Sequence, residues 1–104
     1  MLSPETLEKI ENILLSASGI QQIILFGSQA RDTADNKSDV DILVITCELD
    51  NRFLLMRELR RKLLSLPYDF DVIAITPEEY ERDKNISGTI ARYASQDGKV
   101  IYAA

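Results

Sequence analysis

A chain of 104 residues, 45% hydrophobic and 28% charged, has the size and apolar content of one domain and leaves little protein for a second, substrate-gripping lobe. Its 17 Asp and Glu outnumber 12 Lys and Arg, and the net charge of −5 has the wrong sign for a protein that holds DNA or RNA through many phosphate contacts. With no histidine and one cysteine, Cys47, the chain cannot form Ser-His or Cys-His nucleophile pairs, His-ligated metal sites, an intrachain disulfide or a cysteine-rich zinc site. Carboxylates, hydroxyls, Lys and Arg remain for chemistry, with oxygen-ligated Mg²⁺ or Mn²⁺ as the natural helper.

Taken in order, the chain alternates helices and strands with no internal repeat, which predicts an α/β arrangement on the border of α+β. Residues 4–17 read as a helix: Ser3 is the N-cap, Pro4 takes the first helical position, Leu7, Ile10 and Leu14 recur at turn spacing, and Gly19 stops it. A β-rich run from Ile20 to Phe26 ends at Gly27. A polar stretch, Ser28 to Ser38, is expected to open with a helical turn, and Val40 to Ile45 forms a second strand. From Asp50 to Leu66 the pattern is helical again until Pro67 ends it, and Phe70 to Ile75 is a third strand. Thr76-Pro77-Glu78-Glu79 is a helix start with an N-cap hydroxyl, a proline at the first position and a Glu at the third. A further helix over 87–96 ends near Gly98, and 99–102 adds an edge strand. Cys47 is expected to be a half-buried thiol at a strand end. No apolar run reaches the ~20 residues that cross a bilayer, and the first residues lack a basic segment followed by an apolar one, so a cytoplasmic protein without membrane contact is expected.

The informative segments are Leu25-Phe26-Gly27-Ser28-Gln29-Ala30-Arg31 and Ser38-Asp39-Val40-Asp41-Ile42. A strand that ends in Gly-Ser and turns into a helix offers free backbone N–H groups, and its small residues let a phosphate approach. Asp39 and Asp41, two apart on a strand, face the same way and can hold hard cations. Asp71, at the head of the third strand, supplies a third carboxylate, with Asp69 on the same face as an alternative. For the end of the first strand to meet the start of the second at one site, these two must run antiparallel. Asp71 then makes the third strand parallel to the second, with the 50–66 helix as the crossover. A small mixed sheet with flanking helices follows, with the active site on one edge of it. The cluster Arg57, Arg60, Arg61 and Lys62 reads as the solvated face of that helix.

Gly27-Ser28, ten intervening residues and Asp39-Val40-Asp41 resemble the Gly-Ser-x10-Asp-x-Asp signature of minimal nucleotidyltransferases of the DNA-polymerase-beta-like superfamily. Ala30-Arg31, Ser38 and Phe70-Asp71-Val72 match the family's local pattern as well, while Asp32 stands where the family often has glycine. The resemblance implies the polymerase-beta-like nucleotidyltransferase fold and Mg²⁺-dependent transfer of a nucleotidyl group from a nucleoside triphosphate. Asp39, Asp41 and Asp71 would be the catalytic and metal-binding carboxylates for two Mg²⁺ ions, and Gly27, Ser28 and Arg31 the groups on the triphosphate. The spacing is similar to that of antitoxins encoded beside HEPN-type RNase toxins, some of which attach AMP to a toxin tyrosine. By that resemblance the substrate is ATP and the acceptor a tyrosine of a HEPN-like helical partner protein. Nucleic acid is disfavoured as acceptor, and association of the chain with itself stays open. Two alternatives remain: an antitoxin that neutralises by binding alone, and a small-molecule nucleotidyltransferase whose substrate-binding subunit is separate.

Overall fold

The structure, a computed structural model, describes residues 2–27 and 39–104. Helix α1 spans Pro4–Leu14; strand β1 Ile20–Phe26; strand β2 Val40–Thr46; helix α2 Arg52–Lys62, continued by a 3₁₀ turn at Leu63–Ser65; strand β3 Phe70–Ile75; helix α3 Pro77–Asp83; helix α4 Ile90–Asp97; and strand β4 Lys99–Ala103. The sheet order is β3-β2-β1-β4. β1 is antiparallel to β2 and β4, and β2 is parallel to β3, as the placement of the aspartates requires. The result is the expected small mixed sheet, with α2 as the crossover.

The inner strands explain why both faces of the sheet must be covered. Ile23-Ile24-Leu25 in β1 and Ile42 to Ile45 in β2 are buried without a break, so adjacent side chains feed two cores. On one face Ile10 and Leu14 of α1, with Leu59 of α2 and Leu63, pack on Ile23, Leu25, Ile42, Val44 and Val72. On the other, Ala94 of α4 and Tyr80 of α3 meet Ile24, Leu43 and Ile45. Gly98 closes this second layer: a Cβ there would collide with the Ala94 carbonyl and with Ile24, so the turn into β4 needs a residue without a side chain.

Capping explains the ends of the helices. Ser3 accepts from the Thr6 N–H (3.2 Å), and Pro4 sits in the first turn, as expected. α1 stops three residues short of the expected Ala17, because Ser16 N–H returns to the Ile13 carbonyl and Ala17 N–H to that of Leu14 (both 3.2 Å), closing the turn in 3₁₀ fashion. α2 begins at Arg52 because Asn51 takes the Leu54 N–H (3.1 Å), and its last predicted turn is the 3₁₀ segment before Pro67. The predicted capping box of α3 is present: Thr76 Oγ1 accepts from the Glu79 N–H (3.1 Å), while Glu79 Oε1 accepts from the Thr76 N–H (3.0 Å). α4 starts later than residue 87, since Thr89 is its N-cap and its hydroxyl donates to the Asp83 carbonyl (2.8 Å). Cys47 is exposed rather than half-buried, because Thr46 takes the last interior position of β2. The helical turn expected at the start of 28–38 lies outside the described residues.

Candidate active site

Strand register brings the aspartates together. Phe26 at the end of β1 pairs with Asp41 at the start of β2, and Asp41 pairs in turn with Asp71 at the start of β3. Neighbouring strands run about 4.8 Å apart, so this register sets two carboxylates side by side at one end of the sheet. Asp41 follows the alternation of Leu43 and Ile45, and Asp71 that of Ile73 and Ile75, which places both on the face that α3 and α4 cover farther along. Asp39, one step before β2, continues the same alternation. The site therefore spans inner strand β2 and outer strand β3 at their beginnings, where an edge location was expected.

Burial separates the three. Asp39 and Asp71 are exposed and Asp41 is half-buried. Burial, together with the negative charges of Asp71 and Asp39, raises the carboxyl of Asp41 above the usual carboxylate range. A group that is costly to ionise beside two other carboxylates is one whose charge a bound cation would stabilise. Gly27 supplies the space: its φ is +75°, in the left-handed region that favours glycine, and a Cβ there would collide with Asp41 Oδ2. The end of β1 can thus lie flush against the Asp41 carboxylate.

Asp69, the alternative third carboxylate, is also exposed, and its carbonyl accepts from the Val40 N–H (2.8 Å), pinning the start of β2 to the approach of β3. Its side chain lines a cleft of about 480 Å³ with Asp39, Asp71, Tyr68, Phe70, Leu64 and Arg60. Arg60 is exposed, as expected of a solvated helix face, and borders this cleft as well. Ser28 and Arg31 lie outside the described residues. Among those described, no three His, Cys, Asp or Glu side chains stand close enough to share one ion. The donors nevertheless suit a hard divalent cation: all are carboxylate oxygens, they come from two adjacent strand heads, and Gly27 lets the end of β1 pack directly on the Asp41 carboxylate.

Comparison with known proteins agrees with this fold. The sequence profile of the family described as polymerase beta, nucleotidyltransferase, matches residues 8–104. A Methanocaldococcus jannaschii protein named as a protein adenylyltransferase is 37% identical over 83 residues, covering 80% of this chain and 79% of that one. A chain of a toxin–antitoxin complex crystallised with AMP-PNP superposes with a TM-score of 0.71 at 26% identity, over 94% of this chain and 73% of its own. A complex of tri-AMPylated Shewanella oneidensis HEPN toxin with MNT antitoxin shares the fold, with a TM-score of 0.65 at 24% identity over 94% and 70%. A strand ending in glycine against an aspartate pair held by parallel register, on a sheet of this order and with these relatives, places the chain in the polymerase-beta nucleotidyltransferase family.

Proposed function

We propose that this chain, as a single-domain nucleotidyltransferase, transfers AMP from ATP to a protein hydroxyl, a tyrosine of a HEPN-type partner, and so acts as an antitoxin. The observation that carries the reading is the pairing of Asp41 with Asp71 beside the Cβ-free surface of Gly27. The relative named as a protein adenylyltransferase supports AMP as the transferred group, and the AMP-PNP complex supports an adenine nucleotide in a toxin–antitoxin setting. The tyrosine acceptor rests on the sequence resemblance.

Asp39, Asp41 and Asp71 would hold two Mg²⁺ ions, with Gly27, Ser28 and Arg31 toward the phosphates. Bound divalent cations supply a lowered pKa for the acceptor hydroxyl and neutralise charge on the departing pyrophosphate. In the reaction the acceptor oxygen bonds to the α-phosphorus, the bond to the bridging oxygen breaks, and pyrophosphate leaves. Asp71, exposed at the outer strand, would receive the hydroxyl proton. Asp41, between β1 and β3, keeps charge density at the centre of the site. Gly27 lets the phosphates come down to the backbone. Because the chain has no histidine, its carboxylates are the bases at hand near neutral pH.

The test uses ATP labelled at either the α- or the γ-phosphate, the candidate HEPN-type partner, and the wild-type and Asp41→Asn proteins. Wild type should leave α-label on the partner and no γ-label, and Asp41→Asn should reduce transfer by orders of magnitude, as should a chelator. Undiminished neutralisation of the partner by Asp41→Asn, without label, would replace catalysis with binding alone.

A further inference from the structure

The crossover helix carries a second surface that the chemistry does not use. Phe53 and Leu64 are each 79% exposed and Leu54 47%, and Phe53 and Leu64 stand out from water-facing Ile86, Ile90 and Val100, which expose 40–53%. Phe53, Arg57, Arg60 and Leu64 follow one another at steps of four, three and four residues, which lines them along one side of α2 and its 3₁₀ extension. Phe53, Leu54 and Arg57 border a shallow groove with Asn51, and Arg60 and Leu64 border the cleft of Asp39 and Asp71. The stripe is therefore continuous with the candidate site and runs roughly 17 Å from it along the helix.

Its charge is opposite to that of the molecule. The chain is acidic overall, yet this side of α2 shows Arg57 and Arg60, and among the described residues neither is in an ion pair, whereas Arg61 is paired with Glu58. Apolar ends flanking two arginines form the complement of an amphipathic helix that carries acidic residues beside apolar ones. We infer that the exposed face of α2 docks an acidic amphipathic helix of the protein acceptor and leads its hydroxyl to the cleft at Asp39 and Asp71. This deepens the proposed function and rests on the acceptor being a protein.

Fluorescence anisotropy tests it with three labelled probes: a helical peptide of about 20 residues with a leucine face flanked by Glu, the same peptide with Lys in place of Glu, and a single-stranded RNA of similar length. The Glu peptide should bind about tenfold more tightly than the Lys peptide. Arg57→Glu should reverse that preference, and Phe53→Ser should weaken the Glu peptide about tenfold. Both side chains are solvent-exposed and lie away from the aspartates, so Mg·ATP binding, measured by calorimetry, should be unchanged in both variants. Equal affinity for the two peptides, binding of neither, or indifference to both substitutions would overturn the docking face. So would tighter, Arg57-dependent binding of the RNA, which would make this a nucleic-acid contact. A wild-type protein that prefers the Glu peptide but does not bind Mg·ATP would keep the docking face and remove the AMP-transfer reading.

Discussion

Asp41 shows how the surroundings of a single residue can make its charge costly to folding. It sits half-buried between Phe26 and Asp71, and burial and two negative neighbours raise its pKa. A carboxyl whose folded-state pKa is raised contributes stability below the unfolded pKa, near 3.8, and loses it as pH rises through the folded value. In divalent-free buffer near neutrality the ionised side chain is therefore a net cost to folding. Asp41→Asn, almost the same shape without the charge, should raise the thermal midpoint by a few degrees there, and the advantage should shrink as the pH is lowered through the Asp41 titration. Thermal unfolding of both proteins across acidic to neutral pH measures this, and an Asn variant less stable than wild type at neutrality would contradict it. Much of this residue-scale picture was legible in advance. The spacing of Asp39, Asp41 and Asp71 within β-rich runs is a local pattern, and strand alternation converts it directly into a shared face. That exposed Arg60 also borders the cleft of Asp39 and Asp71 was not legible, since what lies beside a solvated helix face is a tertiary fact.

At the scale of elements, the start of α3 couples a cap to a cross-element contact. Glu79 Oε1 accepts from the Thr76 N–H and also from Arg52 Nη2 (2.5 Å), so the capping box ties α3 to the first turn of α2. The Thr76 backbone hydrogen bond first, and Arg52 after it, hold the Glu79 carboxyl below its ordinary value. A depressed carboxylate contributes stability above its unfolded pKa, near 4.5, and loses it as pH falls through the folded value. Acidification should therefore remove part of the wild-type stability that Glu79→Gln never had, and the two denaturation midpoints should converge at low pH. Thr76→Ala should cost about 1 kcal/mol in chemical denaturation. The box itself was readable from Thr76-Pro77-Glu78-Glu79, because every participant lies within four residues. The partner Arg52, 27 residues away, was not, and neither was the early end of α1, where the Ser16 and Ala17 N–H groups choose i−3 over i−4 acceptors.

For the whole molecule, topology was the most legible property, since requiring three carboxylates to meet left one arrangement of β1, β2 and β3. What the pattern did not give was the place of β4, which pairs beside β1 and makes the two most buried strands the inner ones. Their side chains fill both cores, and the paired aspartates stand at the end of this rigid plate, with Asp41 on an inner strand. The parallel register of β2 and β3 has one more consequence, visible in how the chain would tolerate errors. A slip of one residue turns every side chain of a strand to the opposite face. Pro67, in the segment 67–69 between the 3₁₀ turn and β3, is exposed, so in a deep mutational scan its single substitutions should be among the better tolerated. A one-residue deletion or insertion there should abolish transfer as completely as loss of Asp71, because it would leave β3 either misaligned with Asp41 or facing its apolar residues to water. Measured side by side, this position should score as permissive in composition and unforgiving in length, and equal tolerance of both kinds of change would mean that the strand can find its frame without it.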